Sequence, residues 1–421
     1  MLFARLLQGF ITDGELTLID ATGNTHRMGD PAKGPNVTIR LHDRSLHRKL
    51  FLDPRLAIGE AYMEGTLTVE NASIYDFLAL IGANLDKATI NIVDQWLTAA
   101  RMMLRRFQQR NSLGRARGNI AHHYDLSGAL YDLFLDRDRQ YSCGYFLNPG
   151  DDIEIAQAQK KHHLAAKLLL APGVKVLDIG SGWGGLGLYL ADQAGAEVVG
   201  ITLSEEQLGV SRSRAEQLGL ADRAAFFLRD YRDQKGTFDR IVSVGMFEHV
   251  GAPNYGTFFA KVAELLNDDG VALLHFISHM DPPCPANAWL DKYIFPGAYS
   301  PALSEVLPVI ERAGLWVTDI EILRLHYAET LRHWRERFRA HWDEAAKLYD
   351  ERFCRMWEFY LAGNEMTFRF RGQMIAQIQL AKSIDAVPLT RDYITEWEHR
   401  RTTETDLPDK VRDVQRVRGN R

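Results

Sequence analysis

The sequence predicts an α/β fold, with a mostly parallel sheet covered by helices on both faces, and a small α+β domain ahead of it. Between residues 174 and 323, short apolar runs alternate with helical stretches, which is typical of parallel strands joined by helical crossovers. A glycine-rich turn follows the first of these runs directly. The first 90 residues instead contain short alternating runs, as expected for half-buried strands. A chain of 421 residues has room for both domains.

Residues 1–90 are predicted to form the small domain. Alternation of apolar and polar residues predicts three strands, at 15–19, 37–41 and 66–69. Apolar residues at helical spacing predict a helix at 74–85. Gly23-Asn24 and the segment 29–35 are interpreted as turns between strands. Since no catalytic motif occurs here, we expect a scaffold or docking role.

Residues 91–119 are predicted to be a basic amphipathic connector. Apolar residues recur at helical spacing, and no acidic residue interrupts the arginines Arg101, Arg105, Arg106, Arg110, Arg115 and Arg117. Such a helix can lie on an anionic membrane surface. It can equally be a solvated helix between two domains, and the sequence leaves both interpretations open.

The catalytic domain is predicted to span residues 120–383. Its buried strands are predicted at 174–179, 197–202, 225–228, 240–244, 271–277 and 316–323. Helices are expected notably at 205–217 and 255–266, and the segment 329–383 is mainly helical, with one late strand within 373–380. Residues 384–421 are predicted to be a charged extension, disordered beyond Asp406, to which the sequence assigns no function.

Composition excludes several classes of protein. A net charge of -5 argues against a nucleic-acid partner, which would require an excess of Lys and Arg. Cys143, Cys284 and Cys354 have neither zinc-site nor disulfide spacing, so we expect no metal and a reducing compartment. No signal peptide or membrane-spanning run is recognisable. These features predict a cytoplasmic protein, which would meet a membrane only peripherally, at its inner face. A homodimer is the candidate assembly.

The glycine-rich turn, Val-Leu-Asp-Ile-Gly-Ser-Gly-Trp-Gly-Gly at 176–185, runs from a strand into a helix. It also satisfies G-x-G-x-x-G, so a dinucleotide-binding dehydrogenase must be considered. Such an enzyme usually carries an acidic residue at the end of the next strand to hold the ribose. That strand end reads Gly-Ile-Thr-Leu-Ser at 200–204, which disfavours a nicotinamide cofactor.

The same region resembles the class I methyltransferases, which carry an acid at the position of Asp178 and an adenine-contacting turn similar to 229–232. Longer blocks resemble the cyclopropane synthase family, which includes the mycolic acid cyclopropane synthases. These blocks are 124–126, 140–146, 202–207, 243–251 and 292–297. The resemblance covers about residues 115–382 and implies a Rossmann-like methyltransferase sheet with helical additions.

The resemblance also implies two sets of site residues. Those lining an S-adenosylmethionine site would be Tyr141, Ser142, Leu177, Asp178, Ile179, Gly180, Ser181, Gly182, Trp183, Gly184, Thr202, Leu203, Ser204, Gln207, Tyr231 and Arg232. Those holding a catalytic bicarbonate ion would be Cys143, Glu248, His275, Ile277 and Tyr327. Backbone amides near Cys143 and Ile277 are expected as donors to that ion.

The chemistry explains why such residues are needed. Methylating an alkene leaves a cation on the acyl chain, and ring closure then needs a base that removes a proton without being alkylated. Phe247, Tyr293, Phe295 and Trp334 are candidates to stabilise that cation with their ring faces. Taken singly, Cys143 and His275 would be predicted as ordinary core residues. Glu248-His249 lacks the H-E-x-x-H pattern of a zinc site.

The resemblance therefore predicts cyclopropane formation on an unsaturated phospholipid. The phospholipid is favoured because the amino-terminal domain is similar to the lipid-handling domain of the bacterial members that act on phospholipids, a domain that the short mycolic enzymes lack. A branched methyl or methylene product remains an alternative, as does a lipid-binding protein without activity. Two positions depart from the family's pattern. Ser181 stands where many members have cysteine, and Asn364 stands where some members have cysteine.

Overall fold

The computed structural model describes residues 4, 7–85 and 127–402. The predicted connector 91–119, the block 124–126 and the tail beyond Asp406 lie outside the described residues.

The amino-terminal domain contains a four-stranded sheet in the order β2-β1-β3-β4. Its strands are β1 Gly14–Ile19, β2 Thr25–Asp30, β3 Asn36–Leu41 and β4 Leu67–Val69. The three predicted strands are confirmed, but the prediction of a turn at 29–35 is wrong at its start, because Gly29 pairs with Glu15 inside β2. The strand was missed because it is a polar edge strand in which only Met28 is buried.

Within residues 46–85 the domain contains the helices α1 Leu46–Leu52, α2 Pro54–Met63 and α3 Ile74–Asn84. The predicted helix is α3, which begins at a capping box formed by Ser73 and Asp76. Its apolar face covers the sheet, where Leu16, Ile39 and Phe77 are nearly inaccessible to solvent.

The second domain is built on a seven-stranded sheet in the order β10-β11-β9-β8-β5-β6-β7. Its strands are β5 Lys175–Ile179, β6 Glu197–Thr202, β7 Ala224–Leu228, β8 Phe238–Val244, β9 Leu266–His279, β10 Trp316–Leu323 and β11 Gln373–Ala381. Neighbours from β7 to β9 are parallel, whereas β11 is antiparallel to both β9 and β10. The predicted mostly parallel sheet and its late strand are confirmed.

Helices cover both faces of this sheet. Those ahead of β9 in the chain are α4 Gly128–Phe134, α5 Ile153–Lys167, α6 Gly185–Gln193, α7 Glu205–Gln217 and α8 Tyr255–Leu265. Those after β9 are α9 Ala288–Tyr293, α10 Leu303–Arg312, α11 His326–Ala340, α12 Trp342–Leu348, α13 Glu351–Phe370 and α14 Asp392–Thr402. None of these described helices is both long and apolar enough to cross a membrane.

The two domains meet along α13 and α9. The Tyr62 hydroxyl donates to Glu358 at 2.6 Å. Glu60 on α2 accepts from both Lys292 and Tyr293, at 2.7 and 2.9 Å. Part of the block 292–297 therefore docks on the amino-terminal domain, and the Tyr293 hydroxyl is engaged at that contact.

Candidate active site

The glycine-rich turn connects β5 to α6 at the carboxyl edge of the sheet, where open α/β sheets bind their ligands. The amides of Gly180 and Ser181 both donate to the Ile201 carbonyl at 2.9 Å, which fixes the turn against β6. Gly182 has φ +52, and a Cβ placed there would meet no described atom within 4 Å. The backbone at Gly182 is therefore open to a ligand, while a side chain at Gly180 would meet Met246 at 2.9 Å.

One pocket opens at this turn and gathers most of the predicted cofactor residues. Those that line it are Tyr141, Ser142, Asp178, Ile179, Gly180, Ser181, Gly182, Trp183, Thr202, Leu203, Gln207, Tyr231 and Arg232. Two of them are bonded to each other, since the Thr202 hydroxyl donates to Gln207 at 3.0 Å. The predicted residues in the pocket thus come from four separate parts of the sequence.

Three predicted cofactor residues do not line the pocket. The Leu177 side chain, on strand β5, is fully buried in the hydrophobic core. Ser204 caps α7 by accepting from the Gln207 amide. Gly184 lies against α7, where a Cβ would approach Ser211 to 2.7 Å. Each of them supports the pocket wall through packing or capping.

Other residues line the pocket that the sequence prediction left out, namely Arg139, Gln140, Leu186, Ile201, Arg229, Asp230, Val244, Gly245, Met246, His249 and Val250. Asp230 was not named individually, although the resemblance placed it in the adenine-contacting turn 229–232. It is buried, caps the turn Tyr231–Asp233 and pairs with Arg232 at 2.7 Å. An Asp at the end of a parallel strand is a recognisable ligand position in this fold. Gln140 and His249 lie within or beside blocks that already carried the resemblance.

The polar atoms of the pocket fit S-adenosylmethionine, which offers amino and hydroxyl donors. Asp178 Oδ2 and Ser181 Oγ are buried and have no hydrogen-bond partner among the described residues. Burial raises the pKa of Asp178 to about 7, an effect that nearby Lys160 partly opposes. A donor from a ligand would satisfy these atoms, because buried polar groups are rarely left unpaired.

A second polar cluster lies beside this pocket and contains the predicted bicarbonate residues. Glu248, in the turn Phe247–His249, accepts from the Ile277 amide at 2.6 Å through Oε1. Its other oxygen has no partner among the described residues, and burial raises the Glu248 pKa to about 7. The Ile277 amide is thus already engaged by Glu248, which differs from our expectation that it donates directly to the ion.

His275 lies two residues before Ile277, so both side chains project from the same face of β9. The His275 ring is 1% exposed, and its Nδ1 lies 3.2 Å from Gln377 Nε2 on β11. Burial lowers the His275 pKa well below its ordinary value, so the ring is neutral. Its Nε2 has no partner within the described part of the chain.

Cys143 and Tyr327 belong to the aromatic core against which Ile277 packs. Burial raises the pKa of the Cys143 thiol, so the side chain is an unreactive thiol. The Tyr327 ring packs edge-on to Trp334, with centroids 5.9 Å apart. Ile277 thus contacts Glu248 through its amide and, through its side chain, the aromatic core that contains Cys143 and Tyr327.

The aromatic candidates for cation stabilisation separate into two groups. Trp334 and Phe295 lie in or against the same aromatic core as Tyr327. Phe247 does not, because it stacks on Tyr255 and packs against Phe276, on the opposite face of β9 from His275. Phe247 therefore lies in a different cluster from Trp334 and Phe295, and its role in stabilising the cation stays a prediction.

Lys160 was missed by the sequence analysis and lies between the pocket and the second cluster. Its ammonium group donates to Ser142 Oγ at 2.8 Å and also to Gln140, and the side chain is 1% exposed. Burial lowers the Lys160 pKa to about 8, although Asp136 opposes that effect. The available signal was the buried stripe of α5, in which polar residues occupy core positions at helical spacing.

The same stripe of α5 carries His163 and Lys167. His163 hydrogen-bonds Glu321 on β10 at 2.7 Å and Glu398 on α14 at 2.6 Å. Helix α14, part of the predicted charged extension, therefore docks on α5, where Trp397 also packs against the core. In residues 7–85 and 127–402, no group of three or more potential ligands is arranged to hold a metal ion.

The raised pKa of Glu248 predicts a pH-dependent cost in stability. The Glu248 carboxyl has a pKa of about 7 in the folded protein, against 4.5 when exposed, so the folded state binds its proton more tightly than the unfolded state does. The stability that this proton contributes at low pH is lost as the pH rises through 7. Glu248→Gln should remove that loss. We expect the free energy of unfolding of the variant, relative to the unmodified protein, to rise by about 3 kcal/mol between pH 4.5 and pH 8. Denaturant titrations at several pH values measure it, and a pH-independent difference would contradict it.

The fold and the glycine-rich site define a class I S-adenosylmethionine-dependent methyltransferase. The chain belongs to the mycolic acid cyclopropane synthetase family, which it matches over residues 111–378. It is 38% identical to a probable fatty acid methyltransferase of Pseudomonas putida, over 80% of this chain and 85% of the relative. It is 36% identical to the cyclopropane-fatty-acyl-phospholipid synthase of Escherichia coli K12, over 82% and 88% of the two chains.

A solved structure of the mycolic acid cyclopropane synthase CmaA1, complexed with SAH and CTAB, has the same fold. Its TM-score is 0.60 at 31% identity, covering 63% of this chain and 97% of that one. The predicted family, enzyme class and fold class are therefore confirmed.

Proposed function

We propose that this enzyme forms cyclopropane rings on unsaturated acyl chains of membrane phospholipids, with bicarbonate bound at the second cluster. S-adenosylmethionine would supply an electrophilic methyl group, and the residues that would hold it are those of the glycine-rich pocket. The observation that carries the proposal is that Glu248 Oε2 and His275 Nε2 are both buried and have no hydrogen-bond partner in the part of the chain that the structure describes. These atoms lie next to that pocket but are not part of it.

The chemistry of the second cluster suits a small oxyanion. Neutral His275 can donate one hydrogen bond, and Glu248, whose pKa is near 7, can share a proton with a bicarbonate oxygen. Two unprotonated anions in that space would repel each other, so the raised pKa favours this arrangement. The aromatic core around Tyr327 excludes water from the acyl chain. Bicarbonate would supply the base for ring closure.

A phospholipid substrate is supported by the amino-terminal domain. The match to the family model begins at residue 111. The similarity to the Escherichia coli phospholipid enzyme spans 347 residues, so it extends into the part of the chain before residue 111. The amino-terminal domain also contacts Lys292 and Tyr293 of a family block. We propose that it presents the lipid while the protein is bound peripherally to the cytoplasmic face of the membrane, aided by the basic connector 91–119.

A methyl- or methylene-branched product is the second candidate, because the Pseudomonas putida relative is named a probable fatty acid methyltransferase. Such a reaction passes through the same cation, which must also lose a proton, so an anion at Glu248 and His275 would serve either product. The cyclopropane is favoured because the matching family and the Escherichia coli relative are both named for cyclopropane synthesis.

Lipid analysis after expression tests the product. We expect phospholipid acyl chains that gain one CH₂ and then take up no hydrogen under mild catalytic reduction, because a ring has replaced the double bond. The purified protein should modify unsaturated phospholipid vesicles and leave the free fatty acid largely unchanged. A host expressing Gly182→Val is the control. Acyl chains that gain one CH₂ and still take up hydrogen would favour the branched product instead.

A further inference from the structure

Three side chains form one row across the sheet, on the face that α5 covers. Glu321 on β10 pairs in register with Gln377 on β11, which pairs with His275 on β9. Gln377 is fully buried and His275 is 1% exposed. Since side chains alternate along a strand and adjacent strands are in register, these three lie side by side.

Lys167 on α5 fixes the orientation of the Gln377 amide. Its ammonium nitrogen lies 2.8 Å from Gln377 Oε1 and also bonds Glu321, with Asp319 3.7 Å away. An ammonium group can only donate, so the oxygen of the Gln377 amide must face Lys167. The NH₂ group of the same amide must therefore face His275.

The orientation of that amide decides where the proton of His275 lies. Gln377 Nε2 is 3.2 Å from His275 Nδ1, and an amide NH₂ group can only donate. Nδ1 must then be the ring nitrogen without a proton. In a neutral imidazole the other nitrogen carries it, so Nε2 becomes a hydrogen-bond donor.

We infer that Lys167 and Gln377 are positioning residues that hold His275 in the Nε2–H tautomer, so that it donates to an anion bound beside Glu248. The inference rests on the proposed bicarbonate site. Neither positioning residue need touch the substrate. The alternative Nδ1–H tautomer would place a lone pair at Nε2, which would repel the anion.

The location of the proton can be measured directly. In full-length protein labelled with ¹⁵N-histidine, long-range ¹H–¹⁵N correlation spectra distinguish protonated from unprotonated ring nitrogens, and the His275 signals are assigned by their loss in His275→Gln. We expect an unprotonated Nδ1 and a protonated Nε2. A protonated Nδ1 in the unmodified protein would overturn the inference.

Gln377→Glu reverses the chemistry at one atom. A carboxylate can only accept, so Nδ1 of His275 should become protonated in this variant. Lys167 remains beside the new carboxylate and compensates its charge. We expect product formation to fall roughly tenfold or more, while the affinity for S-adenosylmethionine is unchanged. An unprotonated Nδ1 in this variant, or unchanged turnover despite a protonated Nδ1, would contradict the positioning role.

Gln379→Glu is the matched control. Gln379 lies two residues after Gln377 in β11, so its side chain is on the same face of the sheet, and it is also buried. Its amide donates to the Lys167 carbonyl and to Tyr393 rather than to His275. It should leave the His275 signals unchanged. If Gln377→Glu does not fold, Gln377→Leu should give a mixture of both tautomers, and a single unchanged tautomer would count against the inference.

The experiments distinguish a failure of the proposed function from a failure of this inference. If bicarbonate has no effect on the unmodified protein, the anion site is wrong, but the tautomer measurement would still report whether Lys167 and Gln377 set the proton. If bicarbonate does matter and Gln377→Glu turns over at the normal rate, the positioning role alone is excluded.

Discussion

We expect product formation to slow by about 10²-fold or more in each of three variants, Glu248→Gln, His275→Ala and Tyr327→Phe. The affinity of each variant for S-adenosylmethionine should change little. The reason is spatial, because Glu248 and His275 lie outside the glycine-rich pocket yet keep buried polar atoms without partners among the described residues. Loss of either side chain removes a group that holds the base but leaves the cofactor pocket intact. Turnover on phospholipid vesicles and calorimetric titration measure the two quantities separately.

Bicarbonate provides a second test of the same cluster. Depleting it should slow the unmodified protein, and restoring it should help the variants less. His279→Ala is the matched control, since His279 is a buried histidine four residues further along β9 whose Nε2 lies 3.8 Å from Cys284 Sγ. It should retain turnover and its response to bicarbonate. Normal rates in all three test variants, with no effect of bicarbonate, would show that the cluster only packs.

Gly182→Val should abolish detectable S-adenosylmethionine binding. A valine Cβ at that position would point into space that no described atom occupies, so the side chain would take up room needed by the ligand. The positive φ of +52 adds local strain, because β-branched residues rarely adopt it. Isothermal calorimetry measures binding, and thermal unfolding confirms that the variant is folded.

Strain and loss of space can be separated with a second glycine. Gly219 has φ +67 and equally open surroundings, but it lies after α7 and does not line the pocket. Gly219→Val should therefore carry a similar conformational cost and still bind S-adenosylmethionine. If Gly182→Val bound with normal affinity, the assignment of this turn to the cofactor would be wrong.

Local sequence patterns determined most of the second domain. The apolar strands and the helices between them were predictable because buried parallel strands and amphipathic helices impose distinct spacings on apolar residues. Strand β6 and helix α7 begin and end where the pattern predicted. Strand β2 escaped prediction because a polar edge strand buries too little to show alternation.

The sequence by itself determined the glycine-rich turn and the family blocks, since both depend on contiguous residues. Only the tertiary structure decided which distant residues meet. It placed Phe247 on the far side of β9, engaged the Ile277 amide with Glu248, and put Lys160 between the pocket and the second cluster. It also aligned Glu321, Gln377 and His275 across three strands, a register that pairing between strands sets and local composition does not.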